Sequence, residues 1–118
     1  TWVFMSRSST GRNVITPLGR DTAVVRSANT MTSRVMLLYW LAHARGSMVI
    51  LEQPHTSLMF LHPRFQQLIT RVSIYSTNLF LGHYLAESAK LIRLYCNQLE
   101  IVNVHRYKLR VWLPTSTG

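Results

Sequence analysis

The feature that most limits what this chain can fold into is an apolar run that stops abruptly. Met48-Val49-Ile50-Leu51 gives way to Glu52-Gln53-Pro54. Val and Ile favour extended backbone, and four apolar residues in succession suit a strand over 48–52 that is covered on both faces. A carboxylate placed directly after such a strand stands at the carboxyl edge of the sheet, where open α/β sheets hold their ligands. Glu52 is therefore the first candidate functional residue. The competing reading makes it a structural carboxylate, paired with a cation or accepting backbone N–H groups at a strand end.

Upstream of that strand the pattern is helical. Asp21 reads as an N-cap, and Val25, Ala28, Thr32, Val35, Leu38, Tyr39 and Ala42 then recur at three- and four-residue steps, the spacing of one helical face. Arg45 in the last turn and Gly46 after it supply the stop. Leu37, Trp40 and Leu41 widen the apolar surface beyond one stripe, so this helix is expected to be covered on more than one side.

Downstream, Thr56 or Ser57 offers a cap for a short turn, and Pro63 opens a helix from Arg64 to about Thr70. Residues 72–81 alternate with β-branched and aromatic content, as a strand does. Gly82 to Ala89 turns the chain, Lys90 to Cys96 alternates again, and Asn97-Gln98 forms a further turn. Val104 to Trp112 places Arg106, Lys108 and Arg110 on one face and Tyr107, Leu109 and Val111 on the other. A strand with a cationic face of this kind suits a sheet edge.

This order predicts an α/β fold with a small mixed sheet, parallel at its start and closed by an antiparallel hairpin. It fits one domain over 1–113, with a loop-rich entry at 1–20 and a tail at 114–118.

Charge narrows the partners. Among 118 residues, 13 Lys and Arg face four acids, for a net charge of +9. That excess favours nucleic acid, an anionic lipid surface or an acidic protein face. At 47% hydrophobic and 14% charged, the chain has few charges for a free-standing surface, which implies that a partner covers part of it. The binding residues this suggests are Arg7 and Arg12 in the Ser/Thr/Gly/Arg loop, with Arg106, Lys108, Arg110 and Trp112 on the terminal strip. The loop lacks the glycine spacing of a P-loop or a dinucleotide fold, so it reads first as a solvated loop.

Cys96 is alone, so no internal disulfide forms, and the compartment it suits is reducing. The most apolar window, 31–51, carries Arg34, His43, Arg45 and Gly46, which argues against a membrane-spanning helix. The start at Thr1 fits a processed product or a fragment. The five histidines include no His-x-x-x-His pair, and no metal or other cofactor is expected. Glu52, His55 and Ser57 have the residue types of a hydrolytic triad, but no Gly-x-Ser-x-Gly turn accompanies them.

Two resemblances add to this. Ser-Arg-Ser-Ser-Thr-Gly-Arg (6–12), Ala-Asn-Thr-Met-Thr-Ser-Arg (28–34), Leu-Glu-Gln-Pro-His-Thr-Ser-Leu-Met (51–59) and His-Pro-Arg-Phe-Gln (62–66) resemble a multi-copy family of uncharacterised dinoflagellate proteins. Residues 81–90 and 94–97 fit that family too. It brings no activity with it.

More remotely, Leu51-Glu52-Gln53-Pro54 resembles the Glu-Asn-Val or Glu-Asn-Pro strand end of cytosine-type DNA methyltransferases, within the class I S-adenosylmethionine-dependent enzymes, and 72–96 resembles their closing hairpin. The resemblance implies that Glu52 contacts the base being modified. The departures are large. The chain has no Pro-Cys loop, Cys96 lies far downstream of that position, and the glycine-rich cofactor loop and acidic ribose residue are missing.

The expected function is thus a small, basic, non-catalytic accessory subunit docked in a larger assembly. An organellar one is suspected, a plastid photosystem or a mitochondrial or plastid ribosome. A nucleic-acid-binding module and the acceptor-binding fragment of a methyltransferase are the alternatives. Contact with a membrane surface also fits the charge.

Overall fold

The computed structural model describes residues 2–3, 7–84 and 90–107, with backbone alone for 83–84 and 105–107. Three helices, α1 (Arg7–Thr10), α2 (Ala23–Ala44) and α3 (Pro63–Arg71), and three strands, β1 (Ile50–Pro54), β2 (Tyr75–Phe80) and β3 (Leu91–Cys96), are joined by 3-10 turns and loops. Their contacts group into two compact units. The first holds residues 1–47 and 56–73, the second 48–55 and 74–118.

In the first unit, α2 and α3 pack together. Thr22, not Asp21, caps α2: its hydroxyl accepts from Val25 N at 3.4 Å. Asp21 is instead ion-paired with Arg26 at 2.6 Å. The other end closes as the sequence suggested. Gly46 adopts φ +81°, so that its N–H reaches His43 O and Ser47 N–H reaches Ala42 O, the two bonds of a Schellman stop.

One stripe of α2 (Val25, Thr32, Met36, Tyr39) is buried with Trp2, Leu58, Met59, Phe65, Leu68 and Val72. Leu38, expected on that stripe, is 65% exposed. The helix carries two apolar stripes about half a turn apart, and at 100° per residue Leu38 falls on the outer one.

α3 begins at Pro63, whose missing N–H costs nothing at the first helical position. Its cap is His62. The imidazole Nδ1 accepts from Arg64 N at 3.0 Å. The N-cap of the short turn Met59–Leu61 is Leu58, not Thr56 or Ser57, and it makes no side-chain cap bond, though Ser57 Oγ accepts from Met59 N at 3.2 Å.

The second unit is built on the sheet. Among the described residues its strand order is β1-β3-β2, and both ladders are antiparallel. Ile50 and Tyr75 flank Cys96 from either side. The β2–β3 hairpin matches expectation, but the parallel start does not. β1 and β2 do point the same way, since each opposes β3. Yet β3 inserts between them and takes both sets of backbone hydrogen bonds, so no parallel ladder forms.

β1 is therefore an edge strand and not one covered on both faces: Ile50 is 47% exposed. Pro54, which has no N–H to give, is tolerable there. Glu52 does not stand at the carboxyl edge of a parallel sheet.

Over 104–107 the expected third alternation is not a strand. Leu99–Tyr107 is 3-10 helical and packs against β2. Its three-residue period puts buried Ile101 and half-buried Val104 on one side. Residues 108–112, the rest of the expected strand, lie outside the described residues, as do 85–89 of the expected turn.

Candidate functional site

The first unit holds an unusual amount of charge. Its segments carry eight arginines and one acid, Asp21, which Arg26 already holds. One of these arginines lies in the core. Arg12 is 1% exposed, and its guanidinium carbon sits 3.5 Å from the centre of the Trp2 ring. Its Nη1 donates to Pro17 O at 2.9 Å and to Asn29 Oδ1 at 2.7 Å. The cation is thus met by a π-face, a carbonyl and an amide oxygen. Burial pulls its pKa down from the ordinary value.

Asn29 carries the network on. Its Nδ2 donates to Leu18 O at 3.0 Å, and its carbonyl lies 3.1 Å from His62 Nε2. With Nδ1 accepting from Arg64 N, Nε2 must bear the proton, which fixes the tautomer. Ser33 Oγ lies 3.5 Å from the same nitrogen, and Trp2 meets the ring edge-on at 5.7 Å. Desolvation lowers the His62 pKa, helped by the positive fields of Arg12 and Arg64 and opposed by the Asn29 carbonyl. The ring is therefore held neutral. This chain of contacts ties loop 12–20, α2 and the start of α3 to one another.

Against that frame a groove of about 430 Å³ opens between α2 and α3. Met36, Leu37 and Trp40 give it an apolar end, while Arg34, Arg64 and Gln67 give it a polar wall. Through Ser33 and Arg64 it continues into a hollow of about 380 Å³ reaching Leu18, Asn29 and His62. Arg64 Nη1 donates to Gln67 Oε1 at 3.0 Å, which steadies its guanidinium along the rim. Arg34 has no hydrogen bond or ion pair with another described residue and is exposed. A volume of this size, with apolar walls and a few placed polar groups, is typical of ligand and peptide sites.

The residues that the sequence proposed fall elsewhere. Arg7 is half-buried, and its Nη2 donates to Thr56 O at 3.1 Å. Arg12 lies in the core at 1% exposed, with Nη1 bonded to Pro17 O and Asn29 Oδ1, Trp2 over the guanidinium, and Nη2 buried without a hydrogen bond among the described residues. Arg106 lies in the 3-10 segment and not on a strand, and Lys108, Arg110 and Trp112 lie outside the described residues. Glu52 Oε1 lies 4.0 Å from Lys90 Nζ, and both side chains are about half-exposed.

Ser57 Oγ accepts from Met59 N, and the His55 amide donates to Leu91 O. Among the described residues no three His, Cys, Asp or Glu side chains gather closely enough to hold a metal. Cys96 is fully buried, its sulfur accepting from Gln98 N at 3.3 Å.

Arg34, Trp40 and Arg64, which shape the groove, were not recognised as a site in the sequence. Arg34 appeared only as a charge interrupting an apolar window, Trp40 only as core. Comparison with protein families, curated proteins and solved structures finds no match to this chain.

Proposed function

We propose that the chain is a non-catalytic basic subunit that docks into a larger protein assembly through the outward face of α2. What carries this reading is a row of exposed apolar side chains. Val24, Met31, Leu38 and Leu41 are 74%, 62%, 65% and 54% exposed, with Leu37 beside them at 59%. At 1.5 Å per residue the row runs about 25 Å along the helix. A row of exposed large apolar side chains of this length is a mark of an interface.

Among the described residues no helix is long and apolar enough to cross a membrane, so the row is not explained by a span. Nor does a second copy suit it. Arg34 lies within the same row, and self-pairing of α2 would set two arginine-bearing faces against each other. A partner with an apolar strip and acidic surroundings satisfies both features.

The test is sedimentation of the native protein in extracts of its source. Co-migration with a large assembly, lost on replacing Leu38 and Leu41 by Ser, is the expected result. Both positions are exposed, so the folded state should survive, which circular dichroism checks. Migration of the wild-type protein as a free monomer overturns the reading.

A further inference from the structure

We infer that the groove between α2 and α3 is a receptor site for a short acidic peptide segment bearing a bulky apolar side chain. This deepens the docking reading, on which it rests for the partner being a protein, and it concerns the side of α2 toward α3, which borders the leucine row at Arg34 and Leu37.

The argument begins with shape. The hollow reaching Asn29 and the groove reaching Trp40 share a wall, and eleven residues of α2 separate those ends. At helical rise this is about 16 Å, the length of about five residues of extended chain or three helical turns. A compact metabolite would leave much of that length empty; a peptide segment fills it.

Chemistry then orders the occupant. Met36, Leu37 and Trp40 make one end apolar, and a Trp face with a flexible Met beside it accepts an aromatic or branched aliphatic anchor. Arg34 and Arg64 flank the middle, and guanidinium forks match carboxylates in paired hydrogen bonds. Every cation of this unit is an arginine, and its one acid is already paired. The field over the groove therefore selects negative charge.

A nucleic-acid strand would use the same arginines. However, it gives Met36 and Leu37 little to contact, and it does not call for an apolar end. The occupant is anionic and amphipathic, a helix-in-groove or strand-in-groove peptide ligand.

The experiment uses the full chain and a fluorescein-labelled amphipathic peptide of about twelve residues, with Phe and Leu at i, i+3, i+4 and i+7 and Glu or Asp elsewhere. Fluorescence anisotropy should report saturable binding that weakens with salt. The double change Arg34→Gln, Arg64→Gln should reduce affinity by at least about tenfold. Trp40→Ala should do the same, whereas Leu38→Ser, which adds no charge one turn from Arg34, should leave it unchanged.

Should Trp40→Ala not fold, the arginine pair, whose side chains are exposed, still decides the matter. Equal affinity for the neutral peptide with Gln and Asn in place of the acids overturns the inference. So does retention of affinity in the Gln pair, or preferential binding of a single-stranded oligonucleotide of matched charge. The two readings fail separately. Co-sedimentation reads the leucine row when Leu38 and Leu41 are changed to Ser, and the peptide titration reads the groove through Arg34, Arg64 and Trp40.

Discussion

Replacing His62 offers the sharpest test of the first unit, because one ring does three jobs there. It caps α3 through Nδ1, donates to the Asn29 carbonyl through Nε2, and fills the space beside Trp2. Loss of an N-cap costs about 1 kcal/mol, and loss of one buried hydrogen bond about 1 kcal/mol more. A buried ring also leaves a cavity, so His62→Ala should cost about 3 kcal/mol in all. His62→Asn can still cap but is too short for Asn29, and should cost about half as much.

The pH dependence is more specific. The folded-state pKa of His62 lies below its ordinary value near 6.5, so the unfolded chain binds the proton more readily. Stability from this group is then complete above that value and is lost as pH falls from 6.5 toward the lower folded-state value. The mechanism is visible: a proton on Nδ1 would face the Arg64 N–H it now accepts from, at a helix N-terminus already positive.

Urea unfolding of the wild-type protein and of His62→Asn, at pH values from 7.5 to 5.5, isolates this group from the other histidines. The stability gap should narrow on acidification, with a slope of at most about 1.4 kcal/mol per pH unit. Parallel curves would refute the assignment of Nδ1 as acceptor.

Arg12→Lys keeps the charge but loses the planar fork, and should lower stability by about 2 kcal/mol, read as a drop in melting temperature; an unchanged melt would mean that charge alone suffices. Gly46→Ala should cost about 1 kcal/mol for its positive φ, since nothing lies within 4 Å of the added methyl. Gly19→Ala has a similar φ of +72°, but its Cβ would stand 2.5 Å from Thr10 O, so chemical denaturation should show it to be clearly the worse of the two. Asn97→Ala removes the oxygen that accepts from Val49 N at 2.9 Å, and should cost about 1 to 2 kcal/mol and speed hydrogen exchange at the Val49 amide.

Local chemistry was legible in the sequence where it was self-contained. Pro63 starts α3, Gly46 ends α2, and the alternations at 72–81 and 90–96 contain β2 and β3. What was not legible depends on distant partners. The edge position of β1 follows from β3, some 40 residues later, taking the place between β1 and β2. A cap from His62 lies outside the usual Ser, Thr, Asp and Asn vocabulary.

Leu38 was misplaced because α2 is apolar on both sides, so periodicity alone does not choose which stripe turns inward. The site was the least legible part. Arg34 and Arg64 are 30 residues apart and gain meaning only when α2 and α3 pack. The conspicuous arginine of the sequence, Arg12, proved to be a core residue.

The pairing of Ile50 with Cys96 has a consequence for synthesis. A ribosome adding about 5 to 20 residues per second would make β1 some 2 to 9 seconds before the end of its partner strand exists. Through that interval Met48-Val49-Ile50-Leu51 is an apolar, uncharged segment with unsatisfied backbone, a template for the wrong neighbour. Newly made copies on one message would be the nearest such neighbours, so yield in the cell should depend on translation speed and chaperone supply more than on the stability of the finished fold.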